Sequence, residues 1–509
     1  MSDSSDDDEP QGEQIRVSLT LASEVTDRSL EIPSEAIAVP ASVGRKGLAA
    51  VINHLLDRKV AEDNENDDEN RSDSDDEDNK LPALSFDFVL KDNNRLLRSG
   101  VEREARRYGL SLEKPLAIIY FPAQEAPELQ SESETVPDWI SCLSYTVTTS
   151  SEDAYLCAAA YDGSLRVYKP QEEHSEDKTV VLNPIATTQA AHKGPIKSLA
   201  TMADDNRILL ASGSMDHTLF VHSFDPKSKS MKKQMKCHRG HKAAVGCLDF
   251  FGPTSVLASG DWDGTLAVWN LKDATDMDEE GEGQASKKAK MDKKGKGSKS
   301  NKVSSKMLSL TPQVTLLKAH ASQISGISWG NLHKRNKTGT EAQNHHTLVT
   351  GSWDHSIKVW DMERQENVLS LNGSRVVACL DTSHHSEGIV ATGHPDCSIR
   401  LWDVRTASQE NSMAVSDKTF RPSHKAWVSS VQWSPDNPYQ LASTSHDGTV
   451  KVWDIRSPLP LHTVRALGKT DKGLCLTYGL YATGNDKENR ASIFLGGTDC
   501  VVKHFNTNG

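Results

Sequence analysis

The sequence predicts a mainly β fold, in which a β-propeller of seven four-stranded blades follows a small α+β domain. The propeller is indicated by a recurring unit of two short apolar runs and a polar turn, as in Thr347–Asp361 (TLVTGSWDHSIKVWD). The same pattern returns in LASGDWDGTLAVWN, which ends at Asn270, and in LASTSHDGTVKVWD, which ends at Asp454. Alternation of apolar and polar residues in these runs is typical of half-buried strands. A unit repeated in this way predicts similar modules that pack on one another.

Seven units can be counted between residues 137 and 509, and each places an Asp at a turn with a bulky residue six positions later. The pairs are Asp162/Tyr168, Asp216/His222, Asp263/Trp269, Asp354/Trp360, Asp396/Trp402, Asp447/Trp453 and Asp499/Phe505. Seven units of four strands predict a closed ring. A strand within the linker at 123–136 is expected to complete the seventh blade from the N-terminal side.

Several units also place a His upstream and a Ser or Thr between this His and the turn Asp. We expect a buried chain in which Trp donates to the hydroxyl, the hydroxyl donates to His, and His donates to Asp. The complete sets are His241, Ser259, Asp263 and Trp269; His320, Thr350, Asp354 and Trp360; and His424, Ser443, Asp447 and Trp453. These residue types also form hydrolase triads, but their recurrence in three blades without a G-x-S-x-G elbow favours a structural role.

The other units depart from this pattern. The second keeps His192, Ser212 and Asp216 but has His222 in place of Trp. The first, fifth and seventh units have no upstream His, so apolar packing is expected to hold those blades.

The domain predicted at residues 14–122 changes its hydrophobic period along the chain. Apolar residues alternate at 15–21 and 116–121, whereas those at 48–56 recur at helical spacing. A second short helix is expected at Val101–Tyr108, so the order of elements predicts a small α+β roll of the ubiquitin type. The acidic stretches 1–13 and 61–80 bury no apolar surface and are predicted to be disordered. The loop at 61–80 is either a solvated insertion, a nucleic-acid mimic or a phosphorylation site.

Two insertions interrupt the propeller. Residues 272–312 separate the third strand of the third blade from its fourth, beginning acidic and becoming basic. This insertion is predicted to be disordered, and its composition indicates either a nuclear-localisation or RNA-contacting segment or a solvated loop. Its basic clusters are Lys287, Lys288, Lys290, Lys293, Lys294 and Lys296. The second insertion, 331–346, is polar and suggests no function.

Composition narrows the class of protein. A net charge of −13 argues against a protein that coats nucleic acid through bulk charge. The eight cysteines are scattered, without metal-ligand spacing, and are typical of buried residues in a reducing compartment. An acidic N-terminus and the absence of an apolar run of about 18 residues predict a soluble intracellular protein.

Four tryptophans remain outside the blade network and the inner strands. Two of them directly precede a turn Asp, and two begin the first strand of a blade; both positions open onto one rim of a propeller. Aromatic side chains gathered on an exposed face are typical of a protein interface, although capping of blade edges is the alternative. With two residues at equivalent pre-Asp positions, the candidate partner face comprises Trp139, Tyr161, Trp262, Trp353, Trp427 and His446.

The GH…WD spacing over 137–509 resembles the WD-repeat family, which implies a seven-bladed propeller but no particular function. The N-terminal roll contains VPASVGRKGLAAVINHLL, FDFVL and LLRSG…YGLSLEKPLAIIYFP. These motifs resemble the Notchless-like domain of large-subunit ribosome assembly factors. Together the two parts are most similar to the family of the WD-repeat factor in the PeBoW complex, although the acidic loop at 61–80 departs from the compact form of the domain.

This resemblance implies a non-enzymatic assembly factor in 60S subunit biogenesis and pre-rRNA maturation, found in the nucleus, nucleolus and nucleoplasm. It implies that the propeller binds a block-of-proliferation-type WD-repeat factor and, with it, a pescadillo-type protein. It also implies that the roll docks on midasin, an AAA ATPase, which then releases the subcomplex from pre-60S particles. The family motif places the docking carboxylate at Glu113, which would complete a Mg²⁺ site in midasin; the chain needs no cofactor of its own. The alternative for Glu113 is a solvated loop residue.

Two other classes of protein agree less well with the sequence. WD propellers and ubiquitin-like rolls also occur in adaptors of ubiquitin ligases, but this chain shows no recruiting motif such as an F-box. A conjugated modifier needs a free Gly-Gly terminus, whereas this roll continues through Phe121-Pro122 into the linker. An enzyme is disfavoured because the sequence contains no P-loop, metal-spaced His/Cys cluster or G-x-S-x-G.

Overall fold

The computed structural model describes residues 14–58, 81–148, 153–170, 180–204, 206–276, 307–330, 347–386, 388–405, 418–420, 423–482 and 489–507. The acidic tail 1–13, the acidic loop 61–80, the six lysines predicted for nuclear localisation and the insertion 331–346 lie outside these residues. The chain divides into two compact units, the second of which begins at Pro127. Neither helix in the described part has the length and apolar character needed to cross a bilayer.

The first unit is the predicted α+β roll. Its helices are α1 (Arg45–Leu55) and α2 (Val101–Arg107), with a 3₁₀ turn at Arg28–Leu30. Its strands are β1 (Gln14–Leu21), β2 (Ala36–Pro40), β3 (Phe86–Leu90), β4 (Arg95–Leu96) and β5 (Leu116–Pro122). They form one sheet in the order β2-β1-β5-β3-β4, with β1 and β5 parallel.

The core of the roll follows from the two hydrophobic periods. On α1, Leu48 and Ile52 lie one turn apart and are fully buried, so the helix packs one face against the sheet. On β1, Val17 and Leu19 alternate with polar residues and point into the same core. Tyr120 on β5 donates its hydroxyl proton to the Leu30 carbonyl at 2.7 Å, which holds the connection between β1 and β2 against the sheet.

The second unit is built almost entirely from strands. In chain order they are β6 (Glu128–Ser133), β7 (Ile140–Val147), β8 (Ala154–Ala160), β9 (Leu165–Tyr168), β10 (Val180–Leu182), β11 (Pro184–Thr188), β12 (Ile196–Asp204), β13 (Arg207–Ser214), β14 (Leu219–Asp225), β15 (Ser230–Cys237), β16 (Val245–Phe251), β17 (Val256–Asp261), β18 (Leu266–Asn270), β19 (Thr275–Asp276), β20 (Leu308–Leu310), β21 (Val314–Leu316), β22 (Ile324–Gly330), β23 (Thr347–Ser352), β24 (Ser356–Asp361), β25 (Glu366–Asn372), β26 (Cys379–Thr382), β27 (Ile389–Gly393), β28 (Ile399–Asp403), β29 (Lys418–Phe420), β30 (Val428–Trp433), β31 (Gln440–Ser445), β32 (Thr449–Asp454), β33 (Pro460–Arg465), β34 (Gly473–Ala482), β35 (Asn489–Gly497) and β36 (Lys503–Asn506). Short 3₁₀ turns occur at Gly252–Thr254 and Leu271–Asp273.

Within the described residues these strands form seven sheets, each with one edge strand that faces the centre of the ring. The innermost strands β7, β12, β16, β22, β26, β30 and β34 each pack against the next, and β34 packs against β7, which closes a ring. The seventh sheet is completed by β6, which precedes the first blade in the chain and pairs antiparallel with β36. The two chain ends are therefore joined within one blade.

Two blades carry additional strands on their outer edges. Strand β10 extends the seventh blade by pairing with β6, and β20 followed by β19 extends the second blade beyond β15. Because β19 and β20 lie inside the insertion 272–312, the prediction that this whole insertion is disordered was wrong at its two ends. Leu310 is fully buried against the second and third blades, and this contact anchors strand β20.

Side chains on the innermost strands join neighbouring blades. Asp249 on β16 accepts the backbone N–H of Trp329 on β22 at 2.9 Å, and Asp381 on β26 accepts that of Trp433 on β30 at 2.7 Å. Burial raises the pKa of Asp249 to about 7; the bond from Trp329 opposes this rise and the nearby Asp381 reinforces it. Asp249 and Asp381 therefore join neighbouring blades through carboxyl groups that ionise less readily than an ordinary aspartate.

We expect Asp249→Asn to stabilise the propeller as the pH rises. The folded pKa of Asp249 lies above its ordinary value of 3.8, so its contribution to stability is present in acid and is lost as the pH approaches 7. The amide oxygen of Asn still accepts from Trp329 but does not ionise. Relative to wild type, the free energy of unfolding of the variant should rise by roughly 2 kcal/mol between pH 5 and pH 8. Urea unfolding at the two pH values measures this difference; the exposed Asp263→Asn is the control, and a pH-independent difference would contradict the prediction.

Candidate functional site

The fourth blade contains the full hydrogen-bonded chain in the predicted order. The Trp360 indole donates to Thr350 Oγ1 at 2.8 Å, and the same hydroxyl lies 2.7 Å from His320 Nε2. His320 Nδ1 lies 2.9 Å from Asp354, which also accepts from the Ser356 hydroxyl at 2.6 Å. Because a carboxylate only accepts, His320 donates through Nδ1 and accepts through Nε2. The hydrogen-bonded chain joins strands β23 and β24, the turn between them and the loop that precedes β22.

The electrostatics of this chain favour a neutral His beside a charged Asp. Burial lowers the pKa of His320, and Asp354 opposes that shift only in part. Burial alone would raise the pKa of Asp354, but the bonds from His320 and Ser356 hold it well below its ordinary value. The sixth blade repeats the geometry, with His424 2.8 Å from Ser443 and 3.2 Å from Asp447, beside the buried Trp453. In both blades the His, hydroxyl and Asp side chains are hydrogen-bonded to one another, which is consistent with a structural role.

In the third blade the partner of His241 is Asp261, so the assignment of Asp263 to the network was wrong. His241 Nε2 lies 2.6 Å from Ser259, to which Trp269 donates at 2.8 Å. His241 Nδ1, however, lies 2.9 Å from the buried carboxylate of Asp261, whereas Asp263 is exposed.

The physical reason lies two residues before the turn Asp. In the fourth and sixth blades this position is Ser352 or Ser445, whose hydroxyl accepts the N–H of the turn Asp at 3.1 Å. In the third blade an Asp stands there instead. Its carboxylate accepts the Asp263 N–H and still reaches His241, leaving the second Asp without that role.

The blades without an upstream His are not held by apolar packing alone, which corrects a second expectation. In each of them the turn Asp pairs with a basic residue four positions later, on the third strand. The pairs are Asp162–Arg166 at 3.3 Å, Asp396–Arg400 at 2.8 Å and Asp499–Lys503 at 3.4 Å. In the fifth blade the Trp402 indole also donates to Thr392, which contacts His394 at 2.8 Å. A basic residue four positions after the turn Asp, in units that lack the upstream His, could have predicted these ion pairs from the sequence.

The second blade has His222 where most other blades place a large aromatic ring. His192 keeps its contact with Ser212 at 2.9 Å, but neither ring nitrogen of the fully buried His222 has a hydrogen-bond partner among the described residues. Burial lowers the pKa of His222 to about 3, with a smaller contribution from Lys233. Lys233 donates to the Ala191 carbonyl at 2.7 Å, as Lys358 does to the corresponding carbonyl in the fourth blade.

The six residues of the candidate partner face lie together. Trp139, Trp262, Trp353 and Trp427 expose 46, 40, 37 and 47% of their surface. The rings of Trp353 and Trp427 meet edge to face at 6.4 Å, and that of Trp139 meets Tyr161 at 5.5 Å. His446 stacks on Trp427 at 6.0 Å between ring centroids.

Five of these residues, Tyr161, Trp262, Trp353, Trp427 and His446, line a cavity of about 620 Å³, and Trp139 lies beside Tyr161. Residues from the innermost strand of every blade line this cavity, so it lies on the axis of the ring. Lys197 reaches into it, and its ammonium donates to the Tyr161 hydroxyl at 2.9 Å. The mouth therefore combines exposed aromatic surface with a positive charge.

Glu113 belongs to the first unit, in the loop of the roll between α2 and β5. It is exposed, and its backbone N–H bonds the Ser111 hydroxyl at 3.4 Å. Strand β5, which begins at Leu116, is central in its sheet, so the loop is anchored at its C-terminal end. In the described ranges no group of three or more His, Cys, Asp or Glu side chains is arranged to hold a metal ion. Glu113 thus presents a single carboxylate to solvent.

Comparison with known families matches both units. The model for the WD domain, G-beta repeat, matches residues 183–223, 232–270, 311–361, 365–403 and 416–454. The model for the NLE (NUC135) domain matches residues 15–103.

Relatives with the same organisation match almost the whole chain. A protein from Chlamydomonas reinhardtii is 27% identical over 490 residues, which cover 94% of each chain. Another from Dictyostelium discoideum is 27% identical over 488 residues, covering 94% of this chain and 93% of the relative. A third, from Arabidopsis thaliana, is 26% identical over 445 residues, covering 86 and 87%. All three are named ribosome biogenesis protein WDR12 homolog. The chain therefore matches the WDR12 homologues in both of its parts, the N-terminal NLE domain and the WD repeats.

Proposed function

We propose that this protein is a non-enzymatic assembly factor in the biogenesis of the large ribosomal subunit and in pre-rRNA maturation. The observation that carries the proposal is the match to proteins named for ribosome biogenesis over up to 94% of both chains, including the NLE domain and the propeller. Such a factor acts in the nucleolus and nucleoplasm. The commitment of the blade histidines to structural bonds supports a role in binding.

The propeller is proposed to hold a block-of-proliferation-type WD-repeat factor and, with it, a pescadillo-type protein. Support comes from the face formed by Trp139, Tyr161, Trp262, Trp353, Trp427 and His446. Large aromatic side chains on a rigid support dominate the binding energy of many protein interfaces. Three of the exposed tryptophans, Trp262, Trp353 and Trp427, line one cavity, and with Trp139 they expose apolar surface that a partner would cover.

The roll is proposed to dock on midasin through Glu113. Mg²⁺ prefers hard oxygen ligands and often lacks a full set from one protein. An exposed carboxylate on an anchored loop suits such a vacancy, because it reaches out without disturbing the core of the roll. The metal would belong to the ATPase, whose ATP hydrolysis would then drive release from the pre-60S particle.

Affinity purification of the tagged protein from nuclei tests the proposal. Wild type should bring down pre-60S particles and a partner WD-repeat factor, whereas the double variant Trp353→Ala, Trp427→Ala should lose most of that partner. Leu317→Ala is the control, because Leu317 is 72% exposed and does not line the cavity.

The two outcomes separate the parts of the proposal. A wild-type protein that comes away without pre-60S material would overturn the role in assembly. A double variant that is folded by thermal unfolding yet keeps its partner would instead overturn the assignment of the face.

A further inference from the structure

The cavity at the centre of the propeller has a form suited to one inserted side chain. Its lining includes small residues at the second position of the innermost strand in several blades, among them Ser141, Gly246 and Ser325. Deeper residues such as Leu248 and Ile327 are buried and apolar. A volume of about 620 Å³ falls within the range of cavities that hold small ligands, so it has room for an inserted side chain. A large apolar side chain would leave water and occupy part of this space.

The charge of the side chains that line the cavity is positive. Among the described lining residues, Lys197 is the only one that carries a full charge, and none is Asp or Glu. Burial and the nearby Lys472 and Lys197 lower the pKa of His446, so this ring is neutral. The Lys197 ammonium has three protons, and the Tyr161 hydroxyl accepts one of them at 2.9 Å. A half-buried ammonium with donors to spare favours a carboxylate on the incoming partner.

The aromatic rings favour a protein segment over a single-stranded nucleic acid. Binding of bases depends on open ring faces on which they stack. Here His446 lies almost parallel to Trp427, with 13° between the rings and 6.0 Å between their centroids. Trp353 meets the same indole edge to face, with an interplanar angle of 69°. The rings are arranged as walls of a pocket instead of a stacking platform.

We infer that the mouth of the cavity binds an extended protein segment in which a carboxylate lies next to a large apolar side chain. The apolar side chain enters the cavity between Trp262, Trp353 and Trp427, and the carboxylate pairs with Lys197. The inference deepens the proposed function and rests on it, since it names the chemistry that a docking partner presents to this face.

Selection from a phage-displayed library of random 12-residue peptides tests the inference on the full chain. Wild type should enrich sequences with Asp or Glu within about three residues of Trp, Phe or Leu. Those peptides, made synthetically, should bind Lys197→Met at least tenfold more weakly, a loss expected for a desolvated charge pair. Lys242→Met is the matched control, because this exposed lysine follows the His of the third blade and does not line the cavity. Lys197→Glu should enrich Lys and Arg instead.

Enriched peptides without carboxylates, or full binding by a folded Lys197→Met, would overturn the inference; Lys197→Gln replaces it if the Met variant fails to fold. Competition by an oligouridylate of the same length would assign the face to nucleic acid and overturn it as well. None of these measurements uses ribosomal particles. If peptide selection fails but the tagged protein brings down pre-60S material, the inference about the pocket is wrong and the proposed function is kept. If selection succeeds but no pre-60S material is recovered, the proposed function is wrong and the pocket is kept.

Discussion

Replacing Glu113 with alanine should greatly weaken the proposed docking on midasin while leaving the roll folded. The side chain is exposed and lies in a loop, so its removal costs the fold little. At the proposed interface the same carboxylate would supply an oxygen to Mg²⁺, and losing a charged partner from such a contact typically costs 2–5 kcal/mol. A loss of about 3 kcal/mol corresponds to roughly 100-fold weaker binding. Binding of the full-length protein to the purified adhesion-type domain of midasin, with Mg²⁺ present, measures the effect.

Two variants sharpen this experiment. Glu35→Ala removes an exposed carboxylate from another loop of the same roll and should bind as wild type does. Glu113→Asp keeps the charge but shortens the reach, so it should recover only part of the affinity. Undiminished binding by Glu113→Ala would rule out this residue as the docking carboxylate, and an equal loss with Glu35→Ala would indicate a general charge effect.

Replacing Asp261 with alanine should destabilise the propeller strongly. The fully buried carboxylate receives bonds from His241 and from the backbone N–H groups of Asp263 and Thr265, at 2.9, 3.0 and 2.8 Å. Each buried donor left without an acceptor costs about 1–3 kcal/mol. We expect a loss of roughly 3–5 kcal/mol in the free energy of unfolding, measured by urea titration at pH 7.

The neighbouring Asp263 provides the control for this prediction. Its side chain is exposed, so Asp263→Ala should change the free energy of unfolding by about 0.5 kcal/mol or less. Asp261→Ser recreates the arrangement of the other blades, in which the turn Asp approaches His, and should recover part of the stability. Equal losses from Asp261→Ala and Asp263→Ala would contradict the assignment of Asp261 as the partner of His241.

The two aspartates also illustrate how far sequence reasoning reaches. The repeat length, the turn Asp and the position of Trp follow from spacing, because every blade needs the same strands and the same tight turn. Which of two carboxylates meets His241 depends on backbone direction at the strand end, which spacing does not encode. Comparison with Ser352 and Ser445 at the equivalent position would have exposed Asp261 as the unusual residue.

Other features that the sequence did not predict have similar causes. Lys358 and Arg400 occupy the same position in their repeats, yet of these two only Arg400 pairs with its turn Asp, since no upstream His competes for that carboxylate. Strands β19 and β20 are too short to show a period of two, so only contact with the edge of the second blade defines them. The chemistry of the aromatic face was visible in the sequence, but Lys197 at its centre was not, because its role depends on closure of the ring.

Strand β6 is the first element of the propeller after the roll in the chain, and it would bear load if a motor pulled on the roll as proposed. It begins at Glu128, shortly after β5 ends at Pro122, so tension applied to the roll would travel along the backbone directly into this strand. Strand β6 is clamped on both sides, by β36 and β10, and the Lys503 ammonium grips Glu132 at 2.7 Å. A force along the strand loads these bonds in shear, so they share the strain and must yield together. The strand that closes the ring would therefore receive the applied force first. Its pairing with β36 and β10 would pass this force to the propeller before the chain unfolds.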